Sequence, residues 1–149
     1  MSAPLWRASW GLSDRRPVLH SGLPRRFLPA LCAGWVGLPR LRKVTILHLA
    51  LTDDWDAAVR AGEYRVSTLG RTLADEGFIH ACADMAQLRG VAERYYADVT
   101  EPLVVLAVDE DLLGCPVLLE VPPGAREAFP HIYGPLPVSA VVSVTPFSR

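Results

Sequence analysis

From Val44 onward the chain alternates between short apolar runs and segments with helical periodicity; before Val44 it does neither. Residues 44–50 are apolar on both faces and β-branched at their start, which predicts a buried first strand with His48 on the face of Val44 and Ile46. Thr52 is placed as an N-cap, Asp53, Asp54 and Asp56 crowd the first turn, and Trp55, Ala58 and Val59 form an apolar stripe that ends at Gly62. That pattern predicts a short amphipathic helix over 53–61. Residues 63–76 carry no clear period and are expected to form a long loop with some extended structure, a kind of segment that is often functional. A short strand follows at 77–81, where Phe78 and His80 share a face.

Asp84 with Gln87 three residues later forms a variant capping box, and Met85, Leu88, Val91, Ala92 and Tyr95 recur at helical spacing. A second helix should therefore run to about Tyr96. The apolar run 103–108 between Pro102 and Asp109 suits a central strand covered on both faces, and 109–113 an acidic turn. In the strand expected at 117–121, Leu118 and Glu120 share a face, so Glu120 lies at a sheet edge or has a partner. Pro122-Pro123-Gly124 ends that strand, and residues 138–145 supply the last one. Between them, Phe129 to Pro137 holds three prolines and a glycine around His131 and Tyr133. An extended course there places Phe129, His131 and Tyr133 on one face and Ile132 on the other, a stiff platform presenting an imidazole and a phenol.

Composition sets the outer limits. The 149 residues are 50% apolar with mean hydropathy +0.21, enough for one domain with a real core, and no run of about 18 apolar residues predicts a membrane span. The net charge of −1 conceals an asymmetry. Residues 1–43 carry eight basic side chains against Asp14 alone, and the remainder carries seven arginines against fifteen acids. The acidic body has no lysine beyond Lys43, which argues against nucleic acid as a partner. The Arg- and Pro-rich leader, 1–43, reads as a disordered extension or as upstream sequence read from an early start codon. Three cysteines (Cys32, Cys82, Cys115) without C-x-x-C spacing predict neither a disulfide framework nor a zinc cluster, and point to the cytoplasm.

Candidate chemistry gathers on the strands. His48, His80 and His131 lie on three of them and either converge on one cleft or each hydrogen-bond a backbone carbonyl within a sheet. No H-x-x-x-H or H-x-H spacing supports a metal, and Cys82 reads as a small buried hydrophobe rather than a nucleophile. Glu120 reads as a general base, a hydroxyl-binding carboxylate or an edge-strand charge facing solvent. Tyr64 and Arg71 sit in the segment before His80, where a phenol stacks on a ring or a guanidinium holds a phosphate, or where both merely pack and solvate. P-loop, G-x-G-x-x-G, G-x-S-x-G and H-E-x-x-H signatures do not occur.

Glu76-Gly77-Phe78-Ile79-His80, followed by a helix and then by Phe129-Pro130-His131-Ile132-Tyr133-Gly134-Pro135-Leu136, closely resembles a bacterial and plant family known as domain of unknown function 952. Leu47-His48, Trp55, Gly62-Glu63-Tyr64, Gln87 and Glu120 extend the resemblance, which covers about residues 44–147. It implies one α+β domain over 44–149, with small twisted, mostly antiparallel sheets and two main helices, similar to the ADP-ribosyltransferase-like fold. In that wider group an early-strand histidine contacts a ribose of NAD, an aromatic stacks on nicotinamide and a late-strand glutamate binds the reacting ribose. His48, Tyr64 and Glu120 occupy similar positions, although Leu118-Leu119-Glu120 lacks the group's paired polar residue and no Ser-Thr-Ser segment occurs. The expectation is a small-molecule site for a nucleotide or NAD-like ligand, with Glu120, His80 and His131 as catalytic candidates. His48, Tyr64, Arg71, Phe129 and Tyr133 are the ligand-binding candidates. The alternative is a non-catalytic ligand-sensing or protein-interaction module built from the same residues.

Overall fold

Two three-stranded antiparallel sheets, joined at one edge, carry every histidine of the described part. The structure is a computed structural model and describes residues 45–149; the expected disordered extension lies outside the described residues. Its elements in order are β1 (Thr45–Leu51), α1 (Thr52–Ala61), β2 (Glu63–Tyr64), β3 (Val66–Thr68), β4 (Arg71–Thr72), α2 (Leu73–Glu76), β5 (Ile79–His80) and α3 (Met85–Tyr95). β6 (Leu103–Asp109), β7 (Val117–Glu120), β8 (Phe129–Ile132), β9 (Leu136–Pro137) and β10 (Val141–Pro146) follow, with single 3-10 turns at Glu110–Leu112 and Val138–Ala140. The first sheet has the order β1-β6-β10 and the second β5-β8-β7, while β2-β9 and β3-β4 form two-stranded ribbons. The domain is thus α+β, with two main helices, α1 and α3, and a single-turn third, α2.

β6 is the central strand its unbroken apolar run predicts, and both of its faces are covered. Val104, Leu106 and Val108 pack with Ile46 and Ala50 of β1, Trp55 and Ala58 of α1, and Ile79 and Ile132 of the second sheet. Leu103 and Val105 face the other way, against Leu49 and against Leu88 and Ala92 of α3. Full burial of Leu106 alone contributes about 2 kcal/mol on area grounds. His48 lies on the face of Ile46 and Ala50, so it points from the first sheet toward the second.

The two sheets are tied where Leu47 and Cys82 exchange both backbone hydrogen bonds, at 2.8 and 2.7 Å. Residues 80–82 therefore leave β5 and run on beside β1, a short transfer that holds His80 next to His48.

Local chemistry departs from the sequence reading in three places. Thr52 does not cap α1: its hydroxyl and its amide both donate to the Pro102 carbonyl, at 3.0 and 2.9 Å, which pins the helix start to the start of β6. Residues 63–76, expected as a long loop with some extended structure, fold into β2, β3, β4 and the unexpected α2, each too short to generate a period. A capping box starts α2, with the Thr72 hydroxyl accepting from the Asp75 amide and the Asp75 carboxylate accepting from the Thr72 amide. At α3 the N-cap is Asp84 as the pattern predicts, but Gln87 reaches back one residue further, to the Ala83 amide (2.8 Å). Its amide nitrogen also donates to the Ala128 carbonyl at 3.0 Å, fixing the chain just before β8.

Candidate functional site

β8 is the element on which the site is built, since all four of its residues are buried and it pairs on both sides. Directly opposed residues of antiparallel strands project to the same face. The pairing His80↔His131 therefore puts two imidazoles side by side, and Leu118↔His131 and Glu120↔Phe129 bring the β7 residues onto that face. The opposite face carries Ile79 and Ile132, both fully buried in the core. Alternation along each strand thus separates a polar-aromatic face from an apolar one. Tyr133 follows the strand end with its amide bound to the Pro116 carbonyl at 3.0 Å, which keeps its ring on the side of His131.

Glu120 is the hub of that face. One carboxylate oxygen, Oε2, accepts from His131 Nδ1 and from the Tyr133 hydroxyl, each at 2.7 Å. The Glu120 side chain remains 41% exposed although His131 is 97% covered. Partial burial works against the charged carboxylate, but the His131 and Tyr133 hydrogen bonds outweigh it and hold Glu120 below its ordinary pKa. Tyr133 responds in the opposite sense: burial, together with the bond to Glu120, pushes its phenol up to about 12. The site therefore presents an ionised carboxylate and a neutral phenol at neutral pH.

Burial lowers the His131 pKa despite the countering carboxylate, so the ring is neutral there with its proton on Nδ1, leaving Nε2 as the basic nitrogen. Burial and the neighbouring rings of His131 and His48 take His80 down to about 3. Phe78 completes the cluster, stacked on His131 at 4.2 Å between centroids and edge-on to His80 at 4.8 Å. It also lies 5.5 Å from the Tyr133 ring. The sequence reading did not count Phe78 among the site residues, yet the alternation that pairs it with His80 was the signal for it.

His48 and Tyr64 occupy a layer behind this face. His48 Nδ1 donates to the His80 carbonyl at 2.6 Å, and the Tyr64 hydroxyl donates to His48 Nε2 at 3.1 Å. A carbonyl only accepts, so the tautomer of His48 follows from its partner. Burial lowers its pKa to about 4, and burial raises that of Tyr64, so both are neutral. With His48 2% and Tyr64 1% exposed, the two address each other and the backbone of β5 rather than solvent.

The remaining sequence candidates are dispersed. Phe129 is 8% exposed beneath Glu120, and Arg71 donates through Nε to Glu76 at 2.6 Å. Cys82 is buried, and desolvation, with Asp84 and Glu127 nearby, pushes its thiol up to about 12. Among the described residues no group of three His, Cys, Asp or Glu side chains is arranged to hold a metal ion, and no helix is long and apolar enough to cross a membrane.

Comparison with known proteins agrees with this architecture. The crystal structure of protein CC0527 from Caulobacter crescentus is 30% identical, covering 70% of this chain and 86% of that one with a TM-score of 0.59. The solution structure of CC0527 gives 30% identity, coverage of 68% and 83%, and a TM-score of 0.55. No curated protein matches the chain. The model of the family described as "Protein of unknown function (DUF952)" matches residues 49–144, well over half of the sequence, and the chain belongs to that family.

Proposed function

We propose that the domain binds a small hydroxyl-bearing ligand, of the nucleotide or NAD-like class, on the face formed by Glu120, Tyr133, His80 and Phe78. The observation that carries this reading is the state of Glu120. A carboxylate accepts up to about four hydrogen bonds. Here Oε2 is saturated by protein donors while the side chain stays 41% exposed, so an ionised, oriented acceptor is offered to donors from outside. The vicinal hydroxyls of a ribose are such donors, and the neighbouring rings of Phe78 and Tyr133 give a flat group something to stack on.

This differs in detail from the arrangement implied by the ADP-ribosyltransferase-like group. His48 and Tyr64, which would there touch the ligand, are buried behind β5, so their role in this reading is to hold His80. If the domain is an enzyme, Glu120 polarises the ribose while His131 and Tyr133 hold its carboxylate in place. That is the chemistry of glycosidic transfer from an NAD-like donor.

The test is titration of isotope-labelled protein with NAD, ADP-ribose and adenosine while following backbone amides. The reading expects shifts at Phe78, His80, Glu120 and Tyr133 that Glu120→Gln removes while the variant stays folded at the temperature of the titration. No perturbation at millimolar ligand, or a folded Glu120→Gln variant whose ligand shifts match those of the wild type, would overturn it in favour of a non-catalytic module in which the cluster serves to lock β5, β7 and β8 together.

A further inference from the structure

The charges and surfaces on the site face choose among ligands more sharply than its hydrogen bonds do. Among the described residues Glu120 is the one ionised group in the cluster. The groups that favour its charged form are His131 and Tyr133, with no arginine among them. Both neighbouring imidazoles are neutral, so the cluster carries a net negative charge. An anionic group placed there would meet like charge in a half-covered setting. Around the carboxylate the surface is apolar and aromatic. Tyr133 is 37% exposed and Phe78 partly exposed beside it, and Leu118, on the same strand face as Glu120, is 46% exposed. Aromatic ring faces and a single carboxylate are the combination that stabilises a cation unable to donate a hydrogen bond.

We infer that this face takes the cationic part of its ligand, a quaternary ammonium seated against Tyr133 and Phe78 with Glu120 as counter-ion. The inference rests on the site proposed above and names its charge preference. Phosphates of a larger ligand then lie outside the cluster, away from Glu120.

The probe is choline compared with its neutral isostere 3,3-dimethyl-1-butanol, each titrated into the full chain with amide shifts read at Phe78, Leu118, Glu120 and Tyr133. Choline should bind at least about tenfold more tightly than the isostere, with shifts confined to these residues. Glu120→Gln should erase the preference, and added salt should weaken choline but not the alcohol. The wild-type comparison decides the matter even if the variant folds poorly. Equal binding of the two probes overturns the inference, as does a choline response elsewhere on the surface. Adenosine, neutral and rich in hydroxyls, separates the two levels: shifts at the same amides with adenosine but no preference for choline leave the site standing and remove its charge selectivity. Silence toward adenosine, choline and the alcohol removes both.

Discussion

His48 and His80 are linked ring to backbone, His48 Nδ1 donating to the His80 carbonyl at 2.6 Å across 32 residues of sequence. The bond sets the position of β5 relative to β1 without using the His80 ring, which faces His131 at 5.1 Å. His48 is in turn held by the Tyr64 hydroxyl, so a buried chain of neutral groups runs from β2 through β1 to the site. Its removal leaves a cavity together with a buried carbonyl and hydroxyl lacking partners. His48→Ala should therefore cost roughly 2–4 kcal/mol in chemical denaturation. His48→Asn, whose side-chain amide can still donate near the Nδ1 position, should recover part of it. Equal losses for the two variants would show that the ring volume, and not the bond to His80, is what matters.

Stability should fall with acid over a defined window. His48 and His80 have folded-state values near 4 and 3, below the ordinary 6.5, so the unfolded chain binds more protons between those limits. Their contribution is complete above about pH 6.5 and is lost as pH falls toward 4 and then 3, on the order of 3 kcal/mol for His48 alone. The depressed Glu120 carboxylate acts in the same direction at the lower end of that range. Denaturation midpoints measured from pH 7 to 4 check this. A flat profile would mean that the imidazoles are not neutral in the folded protein.

Glu120 and Tyr133 should titrate as a pair. The phenol stands near 12 because of burial and its bond to the carboxylate. Glu120→Gln removes the charge, and ultraviolet titration of the phenolate should then show one tyrosine moving down toward 10. Tyr133→Phe should raise the pKa of Glu120 by removing one of its two donors, which is visible in carboxyl carbon shifts.

Gly134 is required for space. A Cβ built there would lie 2.7 Å from Cys115 Cβ and 2.9 Å from its Sγ, closer than such atoms approach. Gly134→Ala should destabilise the fold by about 1–3 kcal/mol and displace Tyr133 next to it. Cys115→Ala removes the Sγ clash but not the Cβ contact, so the double variant should be rescued only in part.

Cys82 should be inert. It is 5% exposed, its thiol stands near 12, and its backbone is bound to Leu47. Iodoacetamide at pH 8 should leave Cys82 unmodified in the folded protein and label it only after unfolding.

Sequence alone carried the elements whose signal is local and long enough to repeat. α1 and α3 show a helical stripe with stop or cap residues, and β6 an uninterrupted apolar run, so their type and their burial followed from pattern. The alternation in 129–133 was sufficient to put His131 and Tyr133 on one face and Ile132 in the core. Glu120 was legible as a residue at an edge or with a partner, and it proves to be both.

Only the tertiary structure decided which of these residues meet. Register between β5, β7 and β8 is a long-range property: a shift of one residue would have turned His80 or Glu120 to the other face, and no local preference separates those choices. The same is true of Thr52, whose hydroxyl found the Pro102 carbonyl 50 residues away in place of the cap its position suggested. Residues 63–76 form strands of two or three residues because β9 and neighbouring β3 and β4 hold them in pairs, which no short window of sequence can register. Burial separated the aromatic candidates in the same way, drawing Tyr64 behind β5 and leaving Phe78 and Tyr133 at the surface beside Glu120.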